Sequence, residues 1–299
     1  MSDKSPQSPQ LSRRHVLTGA AALAAAATTA EVQAADDANW KVEKARIKQS
    51  VVSWCFNPMT VDELAQGAAA MGLKSVELID PGQWPKLKAL GLTCAIASSH
   101  GFVKGWNHKE NWDFCREKIT TQIEAAAEFG CPSVITFSGM REGISDEEGM
   151  QNCIDGLKTV IGLAEKKKVN LCIEPLNTRA DVEMKGHPGY QCDTIEWGVK
   201  VCKGVGSPRM KILFDIYHTQ IMQGDVIVRL RQFKDFIGHI HTAGVPGRNE
   251  LDDTQEINYP AVMKVIADIG YTGYVGQEFI PTWKDKLAAL RHAAKLCDV

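Results

Sequence analysis

From residue 50 onward, short apolar runs alternate with longer segments in which apolar positions recur every three or four residues. Runs of the first kind, bounded by Gly, Pro or a charge, predict buried parallel strands; segments of the second kind predict amphipathic helices. Strands are predicted over residues 50–56, 75–79, 93–99 and 133–137, then within 170–177, 211–218, 236–244 and 274–281. The intervening helices cover residues 60–71, 84–90, 112–129, 146–168, 194–203, 225–233, 260–269 and 284–296. Thr60 and Glu63 have the spacing of a capping box, and Gly72 and Gly130 stand where helices stop. Alternating strand and helix implies a parallel sheet, and eight units imply closure into a single (β/α)8 TIM barrel. No GxGxxG follows the first strand, which disfavours an open doubly wound sheet.

The first 34 residues stand outside this pattern. Arg13 and Arg14 precede an alanine-rich apolar run, and Val32-Gln33-Ala34 offers a small-residue cleavage site. Residues 1–34 therefore read as a twin-arginine export signal, leaving residues 35–299 as the barrel and implying a periplasmic protein. The run is too short and too weakly hydrophobic for a stable membrane anchor, and no later run is long enough to span a bilayer. The net charge of −2 argues against a nucleic-acid partner. The nine cysteines include no CxxC pair, and Cys94, Cys131 and Cys172 sit in or beside apolar runs. Free buried thiols are expected, as suits a chain that folds before export.

Chemistry is concentrated in the last four strands. Glu174, Asp215, His241 and Glu278 each follow an apolar run near its end. A charge there is costly to bury without a partner, and strand ends are where such barrels build active sites. Three oxygen donors and one imidazole suit Mg²⁺, Mn²⁺, Co²⁺ or Zn²⁺. Arg248 is a candidate clamp for a substrate carboxylate or oxygen. Glu256 either pairs with Arg248 or touches substrate. The polar loop over residues 98–111 adds His100, Lys104, Trp106 and His108, and Trp106 is a candidate platform for a sugar ring.

The motifs IEPLN (173–177), FDIYHTQIMQGD (214–225), GHIHTAGVPGR (238–248), EINYP (256–260) and GQEFIP (276–281) resemble the hydroxypyruvate isomerase group of the xylose-isomerase-like barrels. That group also contains ketose epimerases. The resemblance implies metal ligation by Glu174, Asp215, His241 and Glu278, proton exchange by Glu174 and Glu278, and a substrate hydrogen bond from His218. Hydroxypyruvate isomerases often carry Gln at the position of His241, whereas the epimerase branches more often carry His.

The reaction so implied is isomerisation of a small α-hydroxycarbonyl substrate through an enediolate, with hydroxypyruvate to tartronate semialdehyde as the default. Ketose epimerisation, elimination on an oxidised sugar and non-catalytic sugar binding are the alternatives, and homo-oligomerisation is left open.

Overall fold

The computed structural model describes residues 39–299, so the expected export signal lies outside the described residues. Seven strands form one parallel sheet: β1 (Lys48–Val52), β2 (Ser75–Glu77), β3 (Ser133–Thr136), β4 (Asn170–Ile173), β5 (Met210–Asp215), β6 (Ile237–Thr242) and β7 (Tyr274–Gln277). Their spatial order is β2-β1-β7-β6-β5-β4-β3. The remaining gap is filled by residues 93–97, where Thr93 bridges to Ser75 of β2 and Ala97 to Val134 of β3. The expected third strand is thus present but irregular. The Ala95 amide donates to Ser75 Oγ at 2.8 Å instead of to a neighbouring carbonyl, which interrupts the ladder.

The helices are α1 (Val61–Met71), α2 (Trp84–Ala89), α3 (Trp112–Phe129), α4 (Asp146–Lys167), α5 (Ile195–Val205), α6 (Ile216–Met222), α7 (Val226–Phe233), α8 (Tyr259–Asp268) and α9 (Lys286–Leu296). Thr60 and Glu63 close the expected capping box on α1, and Gly72 ends that helix in the left-handed region at φ 83°. Thr194, Asn258 and Asp285 cap α5, α8 and α9 through their side chains. Each satisfies a backbone amide that the helix itself leaves free. Most strand residues are buried, as the near-continuous apolar runs require. All nine cysteines are free and buried. No helix among the described residues is long and apolar enough to cross a membrane.

Two strand ends bear on the site. The sequence extends the second strand to residue 79, but Leu78 adopts φ 56°, so β2 ends at Glu77. The sixth strand ends at the carboxylate that the sequence places at its end. This is Asp215, whose side chain caps α6, so His218 lies in the first turn of a helix.

Candidate active site

The four strand-end groups converge. Candidate ligand atoms of Glu174, Asp215, His241 and Glu278 all lie within 4.8 Å of one another, and all four residues are buried. Each arrives by a local device. Glu174 follows β4 directly and still donates its amide to Thr136 O at 3.1 Å, before Pro175 stops the ladder. Glu278 extends β7 in the same way, through its amide to Thr242 O at 2.9 Å. Asp215 spends Oδ1 on the α6 cap, accepting from the amides of Tyr217 (2.7 Å) and His218 (3.3 Å). Its Oδ2 is left facing the cluster.

Burial leaves several of these atoms without partners. Glu174 Oε1, Asp215 Oδ2, His218 Nε2, His241 Nδ1 and Arg248 Nε make no hydrogen bond. His241 Nδ1 is only 2.8 Å from Glu278 Oε2 and 3.9 Å from Glu174 Oε1, yet is not aligned for a hydrogen bond with either. Buried polar atoms are ordinarily paired. A nitrogen and several carboxylate oxygens that face one point without bonding one another form a donor set that fits a divalent cation.

Charge at the site is finely opposed. Burial raises the Asp215 carboxyl, and the neighbouring Glu278 charge adds to it, to about 7. Burial also raises Glu174. Burial opposes ionisation of Glu278 too, but His241 and Arg248 hold it well below the usual carboxylate range. Arg248 Nη2 donates to Glu278 Oε2 at 2.7 Å and lies 3.6 Å from Asp215 Oδ2. Its guanidinium sits between the rings of Trp54 (5.3 Å) and Tyr217 (5.5 Å), and Nη1 donates to Met184 O at 2.6 Å.

His218 has an assignable tautomer. Its Nδ1 accepts the backbone amide of Asn177 at 3.0 Å, so the neutral ring carries its proton on Nε2. Burial, reinforced by Arg248, keeps this ring neutral. The Nε2–H therefore stands ready to donate toward the cluster, 3.6 Å from Asp215 Oδ2.

The other expected contacts fall elsewhere. Trp106 is fully buried, and its indole N–H donates to Thr136 Oγ1 at 2.8 Å. It has no open face for a sugar ring. His100 is also buried, bonded through Nε2 to Thr136 Oγ1 (3.0 Å) and through Nδ1 to Lys104 O (2.9 Å). These two residues fix the loop to β3. His108 bonds Met140 O at 3.2 Å, and Lys104 lies over the Phe114 ring. Glu256 is exposed and accepts from Gln220 Nε2 at 3.1 Å; Arg248 has gone to Glu278. Beside the cluster stand residues that sequence reasoning missed: Trp54 against Arg248, and His187, which packs on Phe102 (4.3 Å) and lies 6.0 Å from the His218 ring. Glu77 was missed as well, although a carboxylate inside an apolar strand was a usable signal.

Residues 66–297 match the model of a family described as the xylose isomerase-like TIM barrel. A 2-oxo-tetronate isomerase of Cupriavidus necator is 30% identical over 246 residues, covering 77% of this chain and 91% of that protein. A hydroxypyruvate isomerase of Escherichia coli is 32% identical over 167 residues, or 56% of this chain and 62% of that one. Among solved structures, one titled AP endonuclease, family 2, from Brucella melitensis superposes with a TM-score of 0.73 at 26% identity. It covers 82% of this chain and 97% of its own.

Proposed function

The chain belongs to the xylose isomerase-like TIM barrel family, and on that premise we propose that it is a divalent-metal-dependent isomerase of small α-hydroxycarbonyl compounds. Hydroxypyruvate and the related 2-oxo-tetronate are the first substrates to consider, on the names of its relatives. The observation that carries the reading is the convergence of Glu174, Asp215, His241 and Glu278 with unbonded, buried donor atoms.

Those four residues would hold the cation. Bound there, it supplies Lewis-acid stabilisation of negative charge on adjacent carbonyl and hydroxyl oxygens. The remaining work falls to the side chains. Moving a carbonyl to the next carbon needs one proton removed beside it and one returned to its former carbon. The Glu174 carboxylate would carry that proton, with the Glu278 carboxylate as the second exchanging group. His218 Nε2–H donates to a substrate oxygen as the enediolate forms. Arg248 holds Glu278 in place and balances its charge. Burial excludes bulk water, which strengthens each of these interactions.

Purified protein, stripped with chelator and reloaded with Mg²⁺ or Mn²⁺, should interconvert hydroxypyruvate and tartronate semialdehyde, or the corresponding 2-oxo-tetronate pair. NMR of the products shows whether the carbonyl has moved. An inverted centre would point to epimerisation, and a cleaved bond to elimination; turnover unaffected by the chelator would sink the metal requirement. Export by the twin-arginine route is also proposed, on Arg13-Arg14 and the alanine-rich run. Arg13→Lys with Arg14→Lys should hold the protein in the cytoplasmic fraction.

A further inference from the structure

Behind His241 lies a buried carboxylate that the reaction itself does not use. Glu77 Oε1 is 2.8 Å from His241 Nε2 and 3.0 Å from His239 Nε2, while Oε2 accepts from Ser50 Oγ at 2.7 Å. Glu77 is 0% exposed. We propose that Glu77 is a positioning residue that holds His241 with Nε2 protonated and Nδ1 turned to the cluster as a metal ligand, an inference that rests on the metal reading above.

The topology shows that this contact is built. Glu77 comes from β2 and His241 from β6, with β1 and β7 between them. In the ladder, Gly276 of β7 pairs with Ser50 of β1 on one side and His241 of β6 on the other. Both intervening positions are small, so the Glu77 side chain can cross two strands. A Cβ on Gly276 would stand 2.1 Å from Glu77 Oε1, so any larger residue there would displace the carboxylate. His239 and His241 are two apart on β6 and so point to the same face. Both therefore reach the same oxygen.

The proton assignment then follows from donor chemistry. An ionised carboxylate only accepts, so each Nε2 that bonds Glu77 must carry a hydrogen. That leaves the lone pair of neutral His241 on Nδ1, the atom that makes no hydrogen bond and faces Glu174 and Glu278. A carboxylate behind a ligating imidazole fixes the ring and raises its basicity, and losing such a partner typically weakens metal binding about 10–100-fold. In Glu77→Gln, one amide oxygen cannot replace a charged acceptor for two imidazole N–H groups and a hydroxyl.

The test uses full-length protein, Mn²⁺ titration by calorimetry and imidazole 1H–15N NMR of the metal-free form. Glu77→Gln should weaken Mn²⁺ binding by about 10–100-fold and move the His241 Nε2–H resonance upfield. Ser50→Ala, which removes one bond to the carboxylate but keeps its charge, should give a smaller loss with both imidazole N–H resonances retained. Wild-type Mn²⁺ affinity in Glu77→Gln would overturn the positioning role alone. Failure of the wild-type protein to bind Mn²⁺ would overturn the metal reading and this role with it.

Discussion

Arg248 Nη2 and Glu278 Oε2 are 2.7 Å apart, both side chains at least 95% buried, beside the cluster of Glu174, Asp215 and His241. An ion pair this deep is strongly destabilised when one partner is removed, because the other charge is left unpaired. Arg248 also has a left-handed backbone, φ 57°, which strains a non-glycine residue. Arg248→Met should therefore lower unfolding free energy by about 3–5 kcal/mol and reduce turnover, read by urea unfolding and steady-state kinetics. Unchanged stability would show that Glu278 finds its compensation elsewhere.

Asp215 divides its labour between its two oxygens. Oδ1 caps α6, and Oδ2 faces the cluster without a hydrogen bond. Asp215→Asn keeps an oxygen for the cap but loses the charge. It should fold with near wild-type stability and bind Mn²⁺ at least tenfold more weakly. Asp215→Ala should also lose the cap, at a cost of about 1 kcal/mol. Full metal occupancy in both variants would refute the ligand assignment.

Trp106 and Trp54 make opposite predictions. Trp106 packs near Gly156 of α4, where an added Cβ would come within 2.7 Å of its ring, and bonds Thr136. Trp106→Phe removes that hydrogen bond and part of a buried ring, so it should cost about 1–3 kcal/mol of stability with KM unchanged. Trp54→Ala removes a half-buried ring beside Arg248 and should raise KM several-fold with a smaller stability change. A KM effect confined to Trp106→Phe would restore that residue to the substrate site.

The chain itself shows why parts of this site were readable and others were not. Glu174, Asp215, His241 and Glu278 stood out because each interrupts an apolar run near its end, and the barrel rule places such ends together. Glu77 has the same position on β2 but a weaker signal. The run SVELI continues past it, and only the left-handed Leu78, a residue with no sequence signal for that conformation, ends the strand there. His218 was legible through the family resemblance, but not as a helix residue. The local competition was won by Asp215, whose carboxylate caps the following turn and converts it to helix. Trp106 was misplaced for a different reason. Gly, His and Lys around it suggested an open loop, but its indole and His100 share the Thr136 hydroxyl and seal the loop to the barrel.

Acid sensitivity should come in part from that same seal. Burial lowers His100 to about 4, and burial aided by Arg248 lowers His187 to about 4. Both lie below the ordinary histidine value, so between about pH 6.5 and 4 the unfolded chain binds more protons than the folded one. Stability is therefore present above this window and is lost as pH falls through it, on the order of 3 kcal/mol for His100. Thermal melts from pH 7.5 to 4.5 should show a shallower decline in His100→Asn than in wild type. Parallel curves for the two proteins would rule out His100 as a contributor.

Exchange of a carbon-bound proton beside a carbonyl by Glu174 and Glu278 would be read out by solvent-deuterium incorporation. Purified protein loaded with Mg²⁺ or Mn²⁺ is incubated in D2O with hydroxypyruvate or 2-oxo-tetronate, and the carbon-bound hydrogens are followed by NMR. Enzyme-dependent deuterium should appear at the carbon next to the carbonyl, and Glu174→Gln or Glu278→Gln should slow it by about 10²–10⁴-fold. No incorporation by metal-loaded wild-type protein, or undiminished incorporation in both variants, would exclude proton exchange by these two glutamates.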